Sequence, residues 1–179
     1  KEKALVYQNY LDQGDAAFSR GEYKKAEEFY KKAKEEGALD VIIEAKLRNL
    51  ELKKAEFAKD LSKQGFSTEC KKKAEDAISI IIGLDCEIAN TKNTDKLISL
   101  YSRLISRLEL DRGSDAKYER YIDLAGIFMR TDDKKLIGLN IYEDVLALNK
   151  DVNGKANQAL KNAYNADRNL YMDIDFSRL

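Results

Sequence analysis

The sequence predicts an all-α protein of antiparallel helical hairpins, and three observations carry that prediction. Proline is absent from the 179 residues, where average usage of about 5% would place about nine. A proline inside a helix removes a hydrogen-bond donor and clashes with the preceding turn, so its absence permits long helices. Apolar residues recur at three- and four-residue steps along nearly the whole chain. Short clusters of Gly, Asn and Asp interrupt that period, and helices joined so briefly pack as antiparallel neighbours. Val41-Ile42-Ile43 and Ile80-Ile81-Ile82 are β-branched runs too short to read as strands, each inside a longer helical period.

About eight helices follow in order. The first covers 3–19 and stops before Gly21. The second, 22–36, is the clearest: Tyr23, Ala26, Tyr30 and Ala33 form one apolar stripe, opposite Lys24, Lys25, Glu28, Lys31, Lys32 and Glu35. Its Glu27–Lys31 and Glu28–Lys32 pairs stand four apart with the acid nearer the amino end, the favourable orientation. Gly37 separates it from a long helix, 39–64, which Gly65 closes. A further helix covers 67–89, and the polar run Asn90 to Thr94 ends it. Helices at 94–111 and 115–130 flank Gly113-Ser114. Thr131-Asp132-Asp133 introduces 134–149, the acids favouring the positive end of the helix dipole. Asn153-Gly154 introduces the last helix, 153–174, and the segment from Gly154 to Phe176 carries Leu160, Tyr164, Leu170, Tyr171, Met172, Ile174 and Phe176. Covering the final apolar face of the array is its expected role, with partner binding as the alternative. One domain spanning 1–179 is expected at this length.

Composition closes several routes to function. With 32 basic and 32 acidic residues the net charge is zero, and the halves 1–90 and 91–179 are equally balanced. Neither is a polycation able to displace counterions from phosphates, so no nucleic-acid partner is expected. No histidine is present, which removes histidine bases, triads and histidine metal ligands. There is no P-loop, dinucleotide-binding glycine pattern or Ca²⁺ loop. Among 32 acids, paired carboxylates arise by chance. The chain therefore reads as non-catalytic, with no cofactor and no metal. Its most apolar run, Ala77 to Leu84, is far shorter than the roughly twenty residues of a transmembrane span. The compartment stays open, cytoplasmic or processed and extracytoplasmic, because the chain opens at Lys1 rather than a methionine. Were 67–89 one continuous helix, Cys70 and Cys86 would lie ~24 Å apart. That is far beyond the ~7 Å within which Cα atoms can be bridged, so two idle thiols are expected.

Residues 8–41 resemble a tetratricopeptide repeat, the two-helix unit of about 34 residues. Tyr10, Gly14 and Phe18 stand on the first helix, Gly21 at the turn, and Tyr23, Ala26, Tyr30 and Ala33 on the second. Gly14 and Ala26 are small enough for the helices to approach closely, and Tyr10, Phe18 and Tyr30 fill the space around the crossing. Gln13, Ala17 and Ala38 depart from the family pattern, which has leucine, an aromatic and a closing proline there. A second match covers 118–150, with Tyr121, Ala125 and Phe128 followed by Gly138, Tyr142 and Val145, after a one-residue insertion in the Thr131–Lys135 turn. The stretch 42–111 reads as hairpins of longer helices. The resemblance implies a short solenoid of stacked hairpins, 8–41, 42–111 and 115–150, capped by 153–174.

Such an array implies a groove lined by first helices, and hence a protein–protein interaction module that binds a peptide or helix of a partner without catalysis. By resemblance the groove positions are Gln8, Leu11, Asp12, Asp15, Phe18 and Ser19 in the first repeat, and Glu119, Ile122, Asp123, Met129 and Arg130 in the last. Leu11, Phe18, Ile122 and Met129 serve equally well as ordinary core. Gln8 and Asp12 replace the lysine and asparagine with which chaperone-binding relatives clamp a terminal carboxylate, and an aspartate would repel one. The competing expectation is a structural, self-associating helical protein of the cell envelope or surface, secreted or lipid-anchored.

Overall fold

A computed structural model describes residues 2–166, with side chains from Leu5 onward. Every regular element among them is helical, and the chain divides into two compact units at Ala89–Asn90. The first unit holds α1 (Glu2–Ser19), α2 (Tyr23–Glu35), α3 (Asp40–Gln64), α4 (Thr68–Ala77) and α5 (Ile80–Ala89). The second holds α6 (Thr94–Arg112), α7 (Tyr118–Met129), α8 (Lys135–Ala147) and α9 (Lys155–Ala166). Within each unit, helices that follow one another in sequence pack against one another, as stacked hairpins require. The expected 153–174 helix is seen as far as Ala166; Leu170 to Phe176 lie outside the described residues.

In the first unit the turn between α1 and α2 is set by Gly21 at φ 75°, a left-handed conformation that glycine adopts without a Cβ penalty. The N–H of Glu22 returns to the carbonyl of Ala17 at 2.9 Å, closing α1. The Glu22 carboxylate accepts from Arg20 Nε at 2.8 Å and lies 2.9 Å from Lys25 Nζ; these cations hold its pKa down to about 2. The stripe on α2 falls as its spacing predicts, with Ala26, Tyr30 and Ala33 buried. They join Leu11, Ala17, Ala38, Ile43 and Leu50 in the core. A Cβ at Gly14 would stand 2.5 Å from Cε1 of Tyr30, so the ring lies directly on the α1 backbone. The Tyr30 hydroxyl donates to Asp15 at 2.8 Å, and Lys46 of α3 reaches the same carboxylate at 2.8 Å. Lys54 of α3 meets Glu27 of α2 at 2.7 Å.

The helix expected over 67–89 is two helices, and the break corrects the reading of the cysteines. Ile78 adopts φ 50°, a left-handed conformation rarely taken by a β-branched residue. The N–H of Ser79 bonds back to Ala74 at 3.0 Å, and Ser79 Oγ then accepts from the Ile82 N–H at 3.3 Å, opening α5. The chain reverses, the Cα atoms of Cys70 and Cys86 come within 5.4 Å, and the two residues form a disulfide. Beside it the buried Glu87 carboxylate accepts from the N–H of Ser67, whose Oγ caps α4 at Cys70 N. Phe66 packs on Gly83, where a Cβ would leave it no room.

The second unit is organised around α7 and α8. Ile122, Leu124, Ala125 and Phe128 meet Leu139, Ile141, Tyr142 and Val145, and Ala156 and Leu160 of α9 complete the core. A Cβ on Gly138 would stand 2.8 Å from the carbonyl oxygen of Ala125, so backbone meets backbone there. Asn93 Oδ1 caps α6 through the Lys96 N–H at 2.9 Å. Asp151 caps α9, accepting from the N–H groups of Ala156 at 2.8 Å and Asn157 at 3.1 Å. Asp132 and Asp133 precede α8 without capping it, since Lys134 occupies the cap position with no side-chain bond.

Four outcomes are expected. Gly138→Ala, forced against a carbonyl, destabilises the chain by about 1–3 kcal/mol in denaturant titration. Gly126→Ala, whose nearest neighbour would be the Tyr142 hydroxyl at an ordinary 3.6 Å, instead gains up to ~1 kcal/mol of helix propensity. Replacing Cys70 and Cys86 together by alanine costs about 3 kcal/mol, the chain-entropy value for a loop of this length, and native intact mass rises on reduction. Finally, Glu22 and Glu27 both titrate below 4.5 when folded, through the cations that hold them. Their stabilisation is present above pH 4.5 and lost as the pH falls below it. Glu27→Gln therefore flattens the acid limb of a pH–stability profile.

Candidate docking cleft

An open cleft of about 500 Å³ lies in the second unit, lined by Ile105, Lys117, Tyr118, Tyr121, Asp144, Ala147 and Leu148. Its geometry follows from helical spacing. Tyr118 and Tyr121 are three apart on α7, and Asp144, Ala147 and Leu148 share one face of α8 at three- and four-residue steps. Ile105 supplies the α6 wall. Inward of these positions lie Ile122 on α7 and Val145 on α8, which are buried. The lining residues are thus the margin of the same helix faces that build the core. Leu148 remains 57% exposed.

The cleft is mostly apolar and holds few charges. Lys117 Nζ pairs with Glu109 at 3.1 Å and stands 5.6 Å over the ring of Tyr118. Asp144 is exposed and forms no ion pair among the described residues. Outside the lining, Lys150 pairs with Asp115 at 3.1 Å and Lys155 with Glu119 at 3.5 Å, satisfying both acids within the chain. Tyr142, buried on the other side of α8, has its phenol pushed upward by burial.

The predicted groove residues divide between the units. In the first, Gln8, Asp12, Asp15 and Ser19 lie exposed along α1. Gln8 donates to Asp12 at 3.0 Å, and Asp15 is engaged by Tyr30 and Lys46. Leu11 is buried in the core, and Phe18 is half-buried with its ring edge-on to Tyr23 at 5.6 Å. In the second unit Glu119 is exposed and paired, Ile122 is core, and Asp123 lies 3.7 Å from Arg120. Met129 is half-buried against Gly138, and Arg130 is exposed just beyond α7. Leu11 and Ile122 therefore serve packing, because both point along the stripes that join their helices to the next.

None of the cleft residues belongs to the predicted groove set; the sequence singles out Tyr121 among them, as a helix-packing contact. The pair Tyr118/Tyr121 and the trio Asp144/Ala147/Leu148 each mark one helix margin in the sequence. That the two margins face one another is a tertiary fact. Among the described residues, no three acids or cysteines are grouped to hold a metal ion, and no helix is long and apolar enough to cross a membrane. Scans against protein-family models, curated proteins and solved structures match nothing to this chain.

Proposed function

We propose that this protein is a non-catalytic docking module of tetratricopeptide-like hairpins, which binds a segment of a partner protein. The carrying observation is the α6–α7–α8 cleft. It is apolar, open to solvent and edged by an exposed leucine, as contact surfaces on helical proteins commonly are. Close approach at Gly14 and Gly138 supports the family likeness. In each of these two hairpins one glycine lets two helices touch: Gly14 of α1 lies under the Tyr30 ring of α2, and Gly138 of α8 lies against the Ala125 carbonyl and Met129 of α7. Two tyrosines suit an interface anchor, since each offers large rigid area with a polar tip.

A second reading, a structural helical protein of an extracytoplasmic surface, draws support from the buried Cys70–Cys86 disulfide. Such bonds persist mainly in oxidising compartments.

One experiment separates the two. A photo-crosslinking residue placed at Leu148 is expected to label a discrete foreign protein in native extract, while light scattering reports a monomer. Crosslinks confined to further copies of this chain, with a stable oligomer in scattering, would overturn the docking function in favour of self-association.

A further inference from the structure

We infer that the cleft receives a lysine or arginine side chain of the partner segment, its alkyl stem against Tyr118, Tyr121 and Leu148 and its charge at Asp144; this rests on the docking function proposed above.

Charge complementarity selects this occupant. Of the two ionised groups lining the cleft, Lys117 is already neutralised by Glu109. Asp144 forms no ion pair among the described residues and is the charge left to select an occupant. An acidic side chain entering here would be repelled. A wholly apolar one would shield a carboxylate from water and return nothing, which costs free energy. A long basic side chain meets both requirements, because its methylenes lie on apolar surface while its head stays with the charge. The cleft already contains one such contact: the Lys117 ammonium stands 5.6 Å over the Tyr118 ring, within the range of cation–π attraction. The exposed Leu148 at the cleft edge offers the adjoining residue of the segment an aliphatic contact.

The test is selection of a random peptide library displayed on phage against the full chain, followed by fluorescence anisotropy of the selected peptides. Enriched peptides are expected to carry one Lys or Arg beside an aliphatic residue, and to lose binding to Leu148→Asn. Asp144→Asn should weaken them about 1.5-fold to fivefold, the range for an exposed ion pair. Asp144→Lys should weaken them further and enrich Asp or Glu at the same position in a fresh selection. Both substitutions are at an exposed site, and circular dichroism checks that each variant folds. Peptides that need Leu148 but carry no basic residue, or that bind Asp144→Lys as tightly as the parent chain, would overturn the basic-side-chain inference and leave docking standing. A selection that enriches nothing sensitive to Leu148→Asn counts against both.

Discussion

Close helix approach at glycine recurs in three places, and the rest of the structure is arranged around it. Gly14 accepts the face of Tyr30, Gly83 accepts Phe66, and Gly138 accepts the carbonyl of Ala125. Each contact lies within one local helix pair or at its flank, and each leaves no volume for a methyl group. Because the backbones come so close, the short stripes of alanine and medium aliphatic residues on α2 and α8 suffice to close a core. Tyr30, Phe128 and Tyr142 fill the cores, and the other large rings stay at the margins. Tyr10, Phe18, Phe29, Tyr118 and Tyr121 all sit half-buried beside a core. Tyr118 and Tyr121 line the cleft of the second unit.

Polar groups reinforce the same helix pairs. Asp15 joins three helices by accepting from Tyr30 and Lys46, and Glu27 with Lys54 ties α2 to α3. None of these pairs is deeply buried, so screening by solvent keeps their individual worth small. Their value is directional: they select one rotation of each helix against its neighbour, which apolar stripes alone leave loose.

Much of this was legible in the sequence. The all-helical class, the α2 stripe and the turns at Gly21, Gly37, Gly65 and Gly113 follow from periodicity and from glycine's conformational freedom. The split at Ile78 did not show. Helix ends in the left-handed region are ordinarily announced by glycine or asparagine, and here an isoleucine takes that conformation between two helical runs. With the break hidden, Cys70 and Cys86 looked too distant to join. Helix breaking and disulfide formation depend on each other, and single-residue propensities carry no trace of such coupling. The site was less legible than the fold. Spacing identifies which residues share a helix face, so Leu11 and Ile122 could be weighed as core. It does not reveal which margins of α6 and α8 confront each other across α7.

The Cys70–Cys86 bond bears on how evenly firmness is distributed in the first unit. α4 and α5 have ten residues each, below the ~12–15 at which isolated helices become even marginal in water. Their persistence depends on being tied to one another as much as on any inward face. In a reducing environment this segment would become the first part of the unit to open, a separate cooperative subunit of lower protection than α1–α3. Amide exchange and protease nicking would then concentrate near Ile78–Ser79, while the tyrosine-packed hairpin of α1 and α2 stayed closed.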